Sequence, residues 1–521
     1  MADEIELKLA IAPERAAELR KLELLRRLSE KRGSTRQLST VYFDTPDQAL
    51  SKRGIALRIR SAGRRKLQTI KLPAEGPGGL QVLHEIETPV AGDLPEFEKI
   101  SDLRLRRLFA DTVIAEGLGP MFVTDIKRTT WPLRFDGSLV ELALDQGEIR
   151  AGTARMPISE VELELKEGKA EHIFELALAL HEVMPVTLGY ATKAARGYAL
   201  LDGAQPQPVK ALPTGLLPTM TARHAFTIAA RNCLAQMRDN EASARLGRDP
   251  EGVHQLRIGL RRLRALLTAY RDALAPAALE FLSQELRWLQ QELNPARDWD
   301  VFIETTLEPI LRRVAGLEAC LEAAKELRDL AQERAQATLA APRYTAFLLR
   351  CYSWLSTGAW ASIEAGALDR PVGEFAGAIL QHRHRRLRKF GGKRADLPES
   401  DLHRLRLMAK KQRYVAEFFR EIYPRKATTR YITALAEIQD VLGSLNDALV
   451  SRHLVEELER FLADAPSVGA AAAARAAGVI LGWQGGRIAE DLNRVTAVWK
   501  EFTQRKAFWP HPEQPTPEPQ P

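Results

Sequence analysis

The sequence predicts an α+β N-terminal domain followed by an all-α C-terminal domain. Period-two alternation of apolar and polar residues fills the first 200 residues, and beyond 222 the apolar period becomes 3.6. The helical region also repeats itself at an offset of 149 residues.

The strands come in order as EIELKLAI at 4–11, QLSTVYFD at 37–44, IALRIRS at 55–61, KLQTIKL at 66–72 and QVLHEIETP at 81–89. MFVTDIKRTTW at 121–131, LRF at 133–135, SLVELALDQG at 138–147 and ISEVELELKEG at 158–168 complete them. That is enough for a closed antiparallel sheet of about eight strands. Three amphipathic helical patterns, PERAAELRKLELLRRL, PEFEKISDLRLRRLF and AEHIFELALALHEV, are suited to covering it from outside.

Residues 204–220 hold four prolines and little that could build a core, so they read as a linker between a domain at 1–203 and the helical part. In the helical part HQLRIGLRRLR starts at His254 and HRLRLMAKKQR at His403, while Gln290 and Asp298 recur as Gln439 and Asp447. Equal offsets in two separate blocks predict two tandem repeated helical bundles, at 221–370 and 371–505, before a disordered tail at 506–521.

The 521 residues are 45% hydrophobic and 27% charged, which excludes bulk disorder and a coiled-coil rod. No apolar run is long enough for a membrane span, and no secretory signal opens the chain. Three cysteines without metal-ligand spacing fit a reducing compartment, with the cytoplasm as default. Residues 1–205 hold 30 basic and 31 acidic groups, so the net charge of +7 comes from the helical part. A polyanion partner is therefore expected there.

On the first strand Glu4, Glu6 and Lys8 share one face. Arg58 and Arg60, Glu85 and Glu87, Asp125 and Lys127, Glu141 and Asp145, and Glu162, Glu164 and Lys166 form similar sets, with Lys71 ending its strand. Either these faces meet water, or they line a wet tunnel inside the closed sheet, which is tolerable only if the charges are paired or hold ligands. Basic groups in such a tunnel neutralise phosphate oxygens, and carboxylates beside them hold Mg²⁺ or Mn²⁺, a composition suited to metal-dependent phosphoryl transfer. No Walker-type loop competes.

These residues resemble the CYTH family of triphosphate tunnel metalloenzymes over about 1–202. The matches are ExExK at Glu4, Glu6 and Lys8, YFDTP at Tyr42 to Pro46, LRxR at Leu57, Arg58 and Arg60, and TxK at Thr69 and Lys71. Further on come Glu85 and Glu87, Lys127 and Arg128, ELALDxG at 141–147, ELE at 162–164, and KxxRG with Lys193, Arg196 and Gly197. The resemblance implies an eight-stranded antiparallel β-barrel forming a tunnel with covering helices, acting on triphosphates with Mg²⁺ or Mn²⁺. It implies that Glu4, Glu6, Glu162 and Glu164 hold metal or orient water, with Glu4, Glu6 and Lys8 as the catalytic set. Lys8, Arg58, Arg60, Lys71, Lys127 and Arg196 would grip the triphosphate.

The helical part resembles the CHAD domain over about 222–500. His254, Arg257, Arg261 and Arg264 cover one helix face, and His403, Arg406, Lys410 and Arg413 repeat the spacing. This resemblance implies binding of inorganic polyphosphate, with nucleic acid as the competing polyanion. A denser basic segment, QHRHRRLRK at 381–389, either joins that groove or is merely basic. The expectation is an inorganic triphosphatase cleaving tripolyphosphate to diphosphate and phosphate. A thiamine or nucleoside triphosphatase, an adenylate cyclase, or a non-catalytic polyphosphate scaffold are the alternatives. No feature fixes an oligomeric state.

Overall fold

A computed structural model describes residues 2–63, 65–73, 80–100, 102–362, 366–392, 399–464 and 470–510. Two compact units emerge, one of residues 1–206 with 340–358, the other of 207–339 with 359–521.

Among the described residues the first unit is built on nine antiparallel strands, one more than the alternation predicts. They are β1 (Ala2–Ala10), β2 (Ser34–Asp44), β3 (Ala56–Ala62), β4 (Arg65–Pro73), β5 (Gln81–Val90), β6 (Gly119–Phe135), β7 (Ser138–Ala151), β8 (Ala154–Glu167) and β9 (Thr187–Gly189). Their order is β5-β4-β3-β2-β6-β7-β8-β1-β9, with a further β5–β1 pairing. The start of β1 pairs with β5, from Ala2 opposite Glu85 to Glu6 opposite Gln81, and its end pairs with β9, from Lys8 opposite Gly189 to Ala10 opposite Thr187. The short β9 thus takes over the edge of β1 where β5 leaves it.

The long patterns at 13–28 and 95–109 break into short pieces: turns at 13–15 and 97–99, α1 (Ala16–Leu19), α2 (Glu23–Leu28) and α3 (Leu103–Phe109), followed by α4 (Thr112–Gly117). α5 (Glu171–Val183) matches its prediction, and α6 (Lys193–Asp202) covers the KxxRG segment. Two apolar clusters fix these elements. Leu57, Ile59, Ile70 and Ile86 pack with Leu105 and Phe109 of α3, while Phe122, Ile126, Ile149 and Ile158 pack with Tyr42 and with Tyr198 of α6.

The second unit contains α7 (Ala222–Leu246), α8 (Pro250–Ala269), α9 (Pro276–Phe302), α10 (Glu308–Leu311) and α11 (Glu318–Ala340). α12 (Pro342–Thr357) is followed by α13 (Val372–Gly391), α14 (Glu399–Phe418), α15 (Arg425–Ala463) and α16 (Ala470–Gln504). α12 belongs to the sheet unit, although the sequence places it in the first helical repeat. Its Tyr352 stacks on Phe174 of α5 at 5.8 Å, and the Pro342 carbonyl accepts from His181 Nε2 at 2.9 Å.

The proline-rich stretch is better anchored than its composition suggests. Asn240 brackets Val209, accepting from its amide at 2.9 Å and donating to its carbonyl at 2.8 Å. The Glu421 carboxylate accepts from the amides of Thr214 at 3.1 Å and Leu216 at 3.3 Å, and Leu216 is buried. At the other end Phe508 and Trp509, placed in the tail by sequence, are buried, and Trp509 Nε1 donates to Gln381 at 2.9 Å. All three cysteines are buried, and among the described residues no helix is long and apolar enough to cross a membrane.

Candidate active site

Strand parity brings Glu4, Glu6, Lys8, Arg58, Arg60, Lys71 and Glu162 onto one cavity of about 220 Å³. Glu6 and Lys8 are only 3% and 5% exposed, which rules out a solvated face for β1. Burying so many charges is stable only because most are paired. Lys8 pairs with Glu6 and, at 3.1 Å, with Glu162. Arg58 reaches Glu85 at 3.1 Å, and Lys71 bonds Glu4 and lies 3.5 Å from Glu85.

Lys127 is exposed on the other face of β6, beside Asp125, and does not line the cavity, whereas its neighbour does. Arg128 lines the cavity and makes a fork with Asp145, at 2.7 and 2.6 Å, while also reaching Glu162 at 2.5 Å. Arg196 bonds Glu160 and does not line the cavity. Its helix instead inserts Lys193, the central cation missing from the expected phosphate-binding set. Lys193 Nζ bonds Asp145 at 2.7 Å, Glu162 at 2.8 Å and Glu160. Burial opposes ionisation of Glu162, yet Lys193, Lys8 and Arg128 outweigh it and hold the carboxyl well below its usual range.

Local chemistry explains why α6 can deliver Lys193. The Thr192 hydroxyl caps the helix by accepting from the Ala195 amide at 3.0 Å. A side chain at Gly197 would strike the Phe122 ring at 2.1 Å, so glycine permits the close approach of helix to sheet. The fully buried Asp44 then ties α6 to the turn after β2. It accepts from the amides of Thr45 and Leu50, each at 2.8 Å, from Ser51 at 2.9 Å, and from the Tyr198 hydroxyl at 2.9 Å.

Two acidic groups differ in their fit to a divalent cation. Asp145, Glu160 and Glu162 offer oxygens within 4.8 Å of one another, but Lys193 bonds all three and Arg128 bonds two. Protein cations already neutralise that trio. Around Glu164 the balance is different. It lies directly opposite Glu6 on β1 and Glu141 on β7. Burial raises its pKa and Lys166 opposes the rise, while Glu4 and Glu141 add to it. Hard oxygen donors suit Mg²⁺ or Mn²⁺, and here Glu4, Glu6 and Glu164 each pair with a lysine, Lys71, Lys8 and Lys166, with which a bound cation would compete.

Arg60 has the opposite character. Its buried Nε has no hydrogen-bond partner, and adjacent Arg58, burial and Arg128 push the guanidinium down to about 10. A phosphate oxygen would satisfy it.

In the helical unit α8 and α14 bring the two basic stripes together. Lys410 is pushed down to about 7 by burial and then by Arg261, Arg406, Arg257 and Arg413, drawn from both helices. Arg257 is buried and pairs with Asp298 at 3.3 Å, while its Nη1, Arg261 Nε and His254 Nδ1 are buried without partners. Burial, followed by Arg297, pushes His254 down to about 4. Arg264 bonds Gln290 at the exposed end, and His403 is exposed. The side chain of Asp447 lies outside the described residues. Of the basic segment at 381–389, Arg383 donates to the Thr268 carbonyl at 3.0 Å, whereas His384 is buried against Tyr431 at 2.8 Å. Trp299 and Trp360 are core residues at 1% exposure.

Residues 2–198 match the family model described as CYTH domain, and residues 228–493 match that described as CHAD domain. The chain is 36% identical over 201 residues to the inorganic triphosphatase of Haemophilus influenzae, a match covering 38% of this chain and 55% of that protein. An uncharacterized protein of Mycobacterium tuberculosis is 27% identical over 460 residues, 81% of this chain and 82% of that one. The crystal structure of the CHAD domain from the plant Ricinus communis is similar with a TM-score of 0.50 and 30% identity, covering 58% of this chain and 98% of that one. The cavity-bearing sheet and the facing basic helices thus belong to a chain of the CHAD family that carries a CYTH domain at its N-terminus.

Proposed function

We propose that this chain is a cytoplasmic, divalent-metal-dependent inorganic triphosphatase that cleaves tripolyphosphate to diphosphate and phosphate, with its helical half binding inorganic polyphosphate. The observation that carries this reading is the convergence of Lys8, Arg58, Arg60, Lys71, Arg128 and Lys193 on one cavity whose wall also holds Glu4 and Glu6. The β5–β1 pairing supports reading the eight strands β1–β8 as a closed barrel and the cavity as its tunnel. The relative named inorganic triphosphatase supports the choice of substrate.

Within the tunnel Arg58, Arg60 and Lys71 bind phosphoryl oxygens, Arg60 being the cation with an unsatisfied Nε. Lys8 and Arg128 hold Glu162 in place, and Glu4 and Glu6, with Glu164, would hold the metal and orient the attacking water. A bound Mg²⁺ or Mn²⁺ would neutralise charge on the bridging phosphate oxygens. The two aromatic lining residues are committed elsewhere: Tyr42 stacks on Phe122 at 4.6 Å, and Tyr198 bonds Asp44. Among the described lining residues that leaves no stacking slot for a base, which favours an inorganic substrate over a nucleotide.

Phosphate release from tripolyphosphate, ATP and thiamine triphosphate, each with Mg²⁺, Mn²⁺ or EDTA, tests the reading. Release from tripolyphosphate is expected to dominate and to vanish in EDTA. Preference for an organic triphosphate would overturn the substrate, and no release from any would leave a polyphosphate-binding scaffold.

The helical half is read as one bundle duplicated. Helices starting at Ala222, Pro250 and Pro276 are followed by helices starting at Val372, Glu399 and Arg425. Polyphosphate would sit between α8 and α14, against Arg257, Arg261, Arg406, Lys410 and Arg413, with His254, Arg264 and His403 along the stripes. Lys410 is neutral above about pH 7 in the free protein, and a polyanion favours its charged form. Binding should therefore take up a proton, and affinity should fall by up to about tenfold per pH unit above 7. Titration calorimetry in buffers of different ionisation enthalpy checks this, and Lys410→Arg, always charged, should flatten the slope.

A further inference from the structure

A second cavity, of about 390 Å³, opens beside the first and shares Arg60 and Arg128 with it. None of the steps assigned to the triphosphate uses the remainder of its wall. Arg36 on β2 stands directly opposite Arg128 on β6, and Arg65 begins β4. Both are exposed at the rim. Four arginines therefore face two carboxylates, Glu87 and Glu141. Glu87 already accepts from the Thr69 hydroxyl at 3.3 Å. Among the described residues the uncharged wall is aliphatic or hydroxylic, with no ring on which a base or a thiazolium could stack.

The junction between the cavities carries the argument. Arg60, a half-buried cation whose buried Nε is unsatisfied, belongs to both walls. An anion held there has one neighbour site toward Arg58 and Lys71 and another toward Arg36 and Arg65. A ligand that fills both must be flexible, unbranched and anionic along its length, which describes a phosphate chain. We propose that the second cavity is a subsite for phosphate residues beyond the third, so that linear polyphosphates of four or more residues bind with their additional residues against Arg36 and Arg65. The proposal rests on the triphosphate reading of the first cavity.

The test compares tetrapolyphosphate with tripolyphosphate on the full chain and on an Arg36→Gln, Arg65→Gln double variant. Both positions are exposed, so the fold tolerates the change. The ratio of kcat/KM for tetrapolyphosphate over that for tripolyphosphate is expected to fall about tenfold in the variant, as loss of charge-assisted hydrogen bonds implies. Because each protein supplies its own ratio, polyphosphate bound to the helical half cancels. A second arm reads hydrogen exchange in EDTA, where tetrapolyphosphate but not tripolyphosphate should protect the amides around Arg36 and Arg65. An unchanged ratio, or equal protection by the two polymers, overturns the subsite. Failure of the triphosphatase reading is distinguishable, because it removes phosphate release from both polymers while the exchange arm still decides whether the subsite exists.

Discussion

Lys193→Ala is expected to lower the melting temperature of the sheet unit by roughly 10 °C, because removing one partner of a buried charge group costs about 3–5 kcal/mol and each kcal/mol moves a domain of this size by about 2–4 °C. Lys193 is 7% exposed and bonds Asp145, Glu160 and Glu162 at once. Without it three carboxylates face one another with Arg128, Lys8 and Arg196 as their remaining cations. The pH dependence carries a definite sign. Burial disfavours the Lys193 ammonium, but Asp145, Glu162 and Glu160 outweigh it and raise its pKa above 10.5, so its contribution is present below that value and lost only at higher pH. Burial likewise opposes the ionised forms of Asp145 and Glu162, yet Lys193 leads the cations that depress both, so their contribution is present above about pH 4 and lost as pH falls through the lower folded values. The deficit of the variant should therefore be largest near neutrality and shrink in acid, where the stranded carboxyls take up protons. Differential scanning calorimetry at pH 4 and pH 8 reads it. A melting temperature unchanged at pH 8, or a deficit that grows in acid, would show that the trio is not held by this ammonium.

The contrast between Lys193 and Lys127 shows what alternation in a sequence can and cannot reveal. Period two assigns residues to faces reliably: Glu4, Glu6 and Lys8 share a face, and Asp125 and Lys127 share another. It does not say which face is inside. On β6 two adjacent cations have opposite parity, and only the position of the acids decides between them. Arg128 is directly opposite Asp145 on β7, whereas Lys127 is opposite Gln146. That register was legible in principle, since pairing the strands through the Asp136–Gly137 turn aligns Arg128 with Asp145. Lys193 escaped the strand argument because it sits on a helix, where the motif KxxRG marks it without giving its role. Gly197 was the physical clue, because a glycine inside a helix costs stability unless something packs against it. Phe122 does.

The anchored proline-rich stretch and tail have a similar cause. Composition predicts the absence of a private core, but not the availability of side chains elsewhere. Asn240 and Glu421, distant in sequence, supply the hydrogen bonds that the segment cannot make within itself. In the helical unit the depressed Lys410 follows from setting the two basic stripes of α8 and α14 face to face.

Glu6→Ala is expected to cut metal-dependent phosphate release from tripolyphosphate by at least about 100-fold, the scale of losing one preorganised charge-stabilising group in a phosphoryl-transfer site. Glu6 is buried, pairs with Lys8 and lies opposite Glu164, so it stands between the cation cluster proposed to bind phosphate and the carboxylates Glu164 and Glu141. Two roles predict different kinetics. If Glu6 only positions Lys8, the variant weakens substrate binding, KM rises, and the Mg²⁺ concentration for half-maximal rate stays where it was. If Glu6 helps hold the cation, that Mg²⁺ concentration rises steeply, and Glu6→Gln, which keeps the shape and removes the charge, shows the same rise. The carboxylate balance favours the second outcome, because Glu164 is raised by burial and by Glu4 and Glu141 despite Lys166, a strain that a divalent cation would relieve. Loss of rate with an unchanged Mg²⁺ requirement in both variants would move the metal away from β1 and leave Glu6 as the residue that positions Lys8.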